Sequence, residues 1–203
     1  MSSSPHMSIA NAIIGNVKDT AGTTDTNSDT SIDNSERLRT SIGKVVCVGR
    51  NYAAHAEELG NEVPSAPMLF IKPASSVVSI HQGVERPNPA IFGETHYEAE
   101  LCIQLATDLS KATLAEAKQA IGGVTLGLDL TLRELQTELK EKGHPWERAK
   151  CFDGACVLAD WLDANAFGDF KNVHYQLNIN NELKQDGDSA LMLFPVYELL
   201  VNI

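Results

Sequence analysis

The chain has 203 residues, with 27 Asp or Glu against 16 Lys or Arg, giving a formal charge of -11 with histidines neutral. So negative a surface disfavours nucleic acid and anionic membranes as partners, since both are bound through positive charge. Hydrophobic residues are 43% of the chain, enough to bury a core, but no apolar run is long enough to span a bilayer.

Residues 1–40 read as a disordered tail. Within them, 14 of the 17 residues over 19–35 (DTAGTTDTNSDTSIDNS) are Ser, Thr, Asn or Asp, a composition that buries too little to offset the entropy of ordering it. The short apolar stretch 9–14 is no secretory signal, so a reducing cytoplasm is the expected compartment. Cys47, Cys102, Cys151 and Cys156 are dispersed without a CxxC pair, which argues against a zinc ribbon or a disulfide framework.

The ordered domain is expected over 41–203. Residues 44–48 (KVVCV) are a β-branched run closed by Gly49, a buried strand. Asn51 is placed to cap a short helix with Tyr52, Ala56 and Leu59 on one face, stopped by Gly60. A second strand covers 68–71, and Pro87 and Pro89 mark irregular connections. Residues 98–106 (EAELCIQLA) alternate with period 2, putting Glu98, Glu100 and Cys102 on one side and Ala99, Leu101 and Ile103 on the other.

Thr113 and Glu116 form a capping box for a helix with Leu114, Ala117 and Ile121 inward, ended by Gly122 and Gly123. A strand over 124–130 follows. Thr131 and Glu134 read as a second capping box, for a helix with Leu132, Leu135 and Leu139 inward that Gly143 and Pro145 terminate. Residues 174–179 and 182–185 flank Asn180 and Asn181, whose tolerance of positive φ suits a tight hairpin. The apolar segment 191–203 closes the chain without a cap, as in the middle of a fold. Short strands with three or four helices indicate an α+β fold in which β dominates.

Three carboxylates stand out. Glu98 and Glu100 share a strand face and repel unless a cation lies between them, and Mg²⁺ is a natural occupant that leaves positions for a chelating substrate. Two charged residues on a solvated strand edge give the same pattern. Asp129 ends an apolar strand, where a buried carboxylate needs a partner or a cation. Its bland role, capping the next helix, is better filled by Thr131.

His55 and Glu58 stand three apart on the short helix, so the carboxylate orients the imidazole as in a general-base dyad; an exposed pair on a surface helix is the alternative. Lys150 ends the aromatic and proline segment HPWERAK and could hold an anion, though alone it reads as an ordinary surface lysine. Cys47 and Cys151 read as small core residues.

The segments VGRNYAAHAEELG (48–60), PMLFIKP (67–73), HYEAELCIQL (96–105), LGLDLTLRELQ (126–136), GHPWERAKCFD (143–153) and LNINNELKQDG (177–187) resemble the fumarylacetoacetate hydrolase family. The resemblance is to its small single-domain acylpyruvate hydrolases and oxaloacetate decarboxylases. It implies a mixed β-sandwich or β-roll core like that family's C-terminal domain, and a homodimer. It further implies that Glu98, Glu100 and Asp129 bind Mg²⁺ or Mn²⁺, that His55 and Glu58 activate water, and that Lys150, with Arg133 and Gln136, contacts substrate or orders the site.

Two departures accompany it. The family's T-G-T-P-x-G-V-G segment, which holds the substrate carboxylate, is expected beyond Leu200, so the domain reads as incomplete at its C-terminus. Tyr97 stands where close relatives have a second histidine.

The implied chemistry is Mg²⁺-dependent hydrolysis of the C3–C4 bond of an acylpyruvate, decarboxylation of oxaloacetate, or both, through a pyruvate enolate. The alternatives are an isomerase or decarboxylase of unsaturated 2-hydroxy dicarboxylates, and an inactive member that only binds a keto acid or a partner chain.

Overall fold

The computed structural model describes residues 42–58 and 62–203, without the side chains of residues 55–57. The tail expected over 1–40 lies outside the described residues. Strand β1 (Lys44–Gly49) pairs antiparallel with β2 (Met68–Pro73) in a two-stranded ribbon, and α1 (Ala53–Glu58) lies in their connection. The expected cap is displaced: Tyr52 is the residue before α1. Asn51 is buried, its Nδ2 donating to Phe194 O at 3.0 Å and its Oδ1 accepting from Phe194 N–H at 2.9 Å.

After β3 (Val77–Ser79), α2 (Pro89–Phe92) starts with Asn88 accepting from the Ala90 N–H and Pro89 in the first turn, where a missing N–H costs nothing. The long strands follow: β4 (Thr95–Leu105), then α3 (Leu114–Ala120), then β5 (Ile121–Leu132). Next come α4 (Arg133–Glu141), α5 (Glu147–Lys150) and β6 (Cys156–Leu158). The hairpin β7 (His174–Ile179) and β8 (Glu182–Asp188) turns on Asn180 and Asn181 at φ 53° and 64°, as their chemistry requires, and α6 (Val196–Asn202) closes the chain.

One mixed sheet organises the rest, in the order β3-β6-β5-β4, with β3 and β6 parallel and the other pairs antiparallel. Its apolar face, carrying Ala99, Leu128, Leu130 and Val157, packs against Tyr175 and Leu177 of the hairpin. The opposite face carries Glu98, Glu100, Cys102, Asp129 and Cys156, and the β1–β2 ribbon covers part of it, Val45 packing near Cys156, Leu158 and Cys102. The strand-rich α+β class is therefore the observed one.

Two local expectations give way. The Thr113–Glu116 capping box is present in full, but Leu114 is 53% exposed and Ala117 and Ala120 are the buried positions. Ile121 begins β5, which continues through Gly122 and Gly123 with an irregularity in its pairing to β4, Gln104 facing Gly123 and Leu105 facing Ile121. Those glycines do not end the helix; a Cβ at Gly122 would press on Ala106 at 2.8 Å and one at Gly123 on the Gln104 amide at 2.9 Å, so they let β5 close onto the end of β4. Thr131 caps nothing: it is fully buried within β5, and Leu132, which offers no side-chain cap, precedes α4.

Candidate active site

Antiparallel register sets Glu98 directly opposite Asp129, and Glu100 one pleat along, opposite Gly127. Directly opposed residues project to the same face at about 5 Å between Cβ atoms, so two carboxylates share a small volume. Cations compensate them. Lys150 Nζ lies 2.6 Å from Asp129 Oδ2 and 3.7 Å from Glu98 Oε2, bridging the two strands. It also donates to Thr131 Oγ1 at 2.6 Å and sits 5.0 Å from the centre of the Phe70 ring. At 3% exposure it is no surface lysine.

Lys72, at the end of β2 and wholly buried, approaches the same aspartate from the ribbon. Its Nζ stands 2.9 Å from Asp129 Oδ1 and donates to Leu130 O at 3.3 Å and to Lys150 O. The approach to Oδ1 is an ion contact outside hydrogen-bond geometry, so among the described residues that buried oxygen accepts no hydrogen bond. Arg133, at the start of α4, donates to Glu98 and, at 2.7 Å, to Gln136 Oε1. The structure thus brings Glu98, Asp129, Lys150, Arg133 and Gln136 into one connected cluster.

Glu100 projects from the same sheet face as Glu98, and its charge helps to raise the Tyr52 and Tyr175 phenols, after the dominant effect of burial. The two phenol oxygens are 3.4 Å apart and tie the start of α1 to β7. His55 lies within α1, three residues before Glu58, which is exposed; the imidazole is outside the described side chains. Among the described residues, no three His, Cys, Asp or Glu side chains stand close enough together to hold a metal ion as placed. The donor chemistry nonetheless suits a hard divalent ion. The carboxylates are oxygen ligands of the kind such an ion takes, and the buried Asp129 Oδ1 accepts no hydrogen bond, its neighbour being the Lys72 ammonium at 2.9 Å.

The fumarylacetoacetate (FAA) hydrolase C-terminal family matches residues 44–203. The chain belongs to that family. It is 41% identical over 160 residues to the Escherichia coli oxaloacetate tautomerase YcgM, covering 78% of this chain and 72% of that protein. It is 37% identical to the mitochondrial oxaloacetate decarboxylase of Dictyostelium discoideum, over 79% of this chain and 73% of the relative. A crystal structure of fumarylpyruvate hydrolase from Pseudomonas aeruginosa, in complex with Mn²⁺ and pyruvate, superposes with a TM-score of 0.73 at 33% identity, over 79% of this chain and 70% of that one. Family relatives are thus enzymes of oxaloacetate and of a fumarylpyruvate, and divalent metal occurs among them. Among the described residues, no helix is long and apolar enough to cross a membrane.

Sequence reasoning missed Lys72 and Thr131. The signal for Lys72 was present: Met68, Phe70 and Lys72 alternate along β2, so the expected strand carried one residue further puts the lysine on the inward side. Thr131 was hidden by its fit to a capping box, a motif short enough to match by accident.

Proposed function

We propose that this chain is a divalent-metal-dependent enzyme of 2-oxo acids, with oxaloacetate as its substrate. The observation that carries it is the buried Lys150 ammonium held between Asp129 and Glu98, beside carboxylates that would hold Mg²⁺ or Mn²⁺: Glu98, Glu100 and Asp129. When bound, the ion supplies Lewis acidity that draws negative charge onto a 2-oxo oxygen.

The chain's own groups do the rest. Two acceptors, Asp129 Oδ2 and Thr131 Oγ1, fix Lys150 with its proton donors aimed into the cluster, where a fixed positive charge stabilises an enolate oxygen without reorganisation. Arg133 holds Glu98 in place, and Gln136 holds Arg133. Interconversion of keto and enol oxaloacetate moves one proton between oxygen and C3. Decarboxylation passes through the same kind of enolate after loss of CO₂. The relatives that act on oxaloacetate support this substrate.

A second reading, hydrolysis of an acylpyruvate, is favoured by the similarity to the fumarylpyruvate hydrolase. In it, His55, oriented by Glu58, takes a proton from water that attacks the C4 carbonyl; the C3–C4 bond breaks, and C3 is then protonated to give pyruvate and a carboxylic acid. His55→Ala then suppresses this hydrolysis more than oxaloacetate turnover, since only hydrolysis needs activated water. Ultraviolet absorbance of enol oxaloacetate, followed with Mg²⁺, with Mn²⁺ and with EDTA, tests the main reading. Acceleration by the ions that EDTA abolishes supports it, and equal decay with and without protein overturns it.

A further inference from the structure

β4 lies at one end of the mixed sheet. The backbone groups that an end strand turns away from its neighbour need partners, and water cannot supply them where the strand is covered. Ala99, between Glu98 and Glu100, is such a position at 4% exposure. The Gln185 side chain completes it: Oε1 accepts from the Ala99 N–H at 2.7 Å and Nε2 donates to Ala99 O at 2.7 Å. One side-chain amide thus substitutes for a strand, since it carries an acceptor and donors side by side. Gln185 is itself braced, pairing across the hairpin with Leu177, which packs in the same core cluster as Ala99 and Leu128.

We propose that Gln185 is a positioning residue for the two glutamates. By pinning both peptide groups of Ala99 it fixes the directions in which Glu98 and Glu100 leave the backbone, and so the spacing of their carboxylates. The inference rests on the reading that these carboxylates hold a divalent ion.

Mn²⁺ binding to the full chain, followed by the electron paramagnetic resonance of the free ion, tests it without reference to turnover. Gln185→Met keeps length and removes both hydrogen bonds; Mn²⁺ affinity is expected to fall about tenfold or more, as for groups that orient metal ligands. Gln185→Asn keeps the amide but stops one methylene short, so it shows a loss in the same direction and decides the matter if Gln185→Met does not fold. Asn180→Ala weakens the same hairpin at its positive-φ turn without touching Ala99; its affinity stays within about twofold of the parent, below what loss of an orienting group gives. Unchanged Mn²⁺ affinity in folded Gln185→Met, or an equal loss in Asn180→Ala, overturns the inference. Failure of the unsubstituted chain to bind Mn²⁺ overturns the metal reading and this inference with it, and is recognised because no substitution is involved.

Discussion

Lys150 Nζ and Asp129 Oδ2 stand 2.6 Å apart across 21 residues of chain, with Lys150 3% exposed. A charge so enclosed survives only when paired and hydrogen-bonded, and Asp129 and Thr131 supply both. Lys150→Met is expected to lower oxaloacetate turnover by about 10²–10³-fold, the usual cost of losing one preorganised donor to an oxyanion. Lys150→Arg does not rescue it, because a planar guanidinium does not fit a point-charge seat. Initial rates at saturating metal, beside a melting curve for each variant, separate this from misfolding.

Lys72 holds the same aspartate from the other side, and its role is structural as much as electrostatic, because it also bonds the carbonyls of Leu130 and Lys150. Removing one member of a buried ion cluster costs about 3 kcal/mol, so Lys72→Met is expected to lower Tm by roughly 6–12 °C in a chain of this size. Lys142→Ala, which breaks the exposed pair with Glu138, leaves Tm unchanged. Calorimetry of both variants makes the comparison.

The buried Tyr175 ring lies directly against Gly187, so close that a Cβ there would fall inside the ring's van der Waals envelope. Gly187→Ala is expected to destabilise by about 1–3 kcal/mol through overpacking. It also displaces the ring from Tyr52, which near-ultraviolet circular dichroism reads as a changed tyrosine signal.

Burial pushes the Cys156 thiol up to about 11 from an ordinary 9.0, and raises the Cys47 and Cys102 thiols and the Tyr175 phenol too. The native state then keeps protons that the unfolded chain releases, so stability is full below pH 9 and falls as pH rises from there through about 11 for Cys156. One such thiol contributes a slope of at most about 1.4 kcal/mol per pH unit. Urea unfolding between pH 8 and 11 is expected to show this decline, with a shallower slope in Cys156→Ala.

Much of this was legible in the sequence, and what was not has a physical cause. The period-2 pattern of β4 placed Glu98 and Glu100 on one face, and Asn180 with Asn181 placed the hairpin, because both signals are local. The facing of Glu98 by Asp129 depends on register between strands joined by α3, and no residue pattern states it. Thr131 fits a helix cap by its neighbours and serves Lys150 by its fold. Gln185 is an ordinary polar residue until the edge of β4 arrives beside it.

The proposed seat for a divalent ion at Glu98, Glu100 and Asp129 is tested most directly by calorimetric titration of Mn²⁺ into the metal-stripped chain and into Glu98→Gln and Asp129→Asn. One ion is expected to bind per unsubstituted chain, with affinity falling on the order of a hundredfold in each folded variant, since each loses a charged oxygen ligand. Equal affinity in all three proteins would place the ion elsewhere and contradict the assignment.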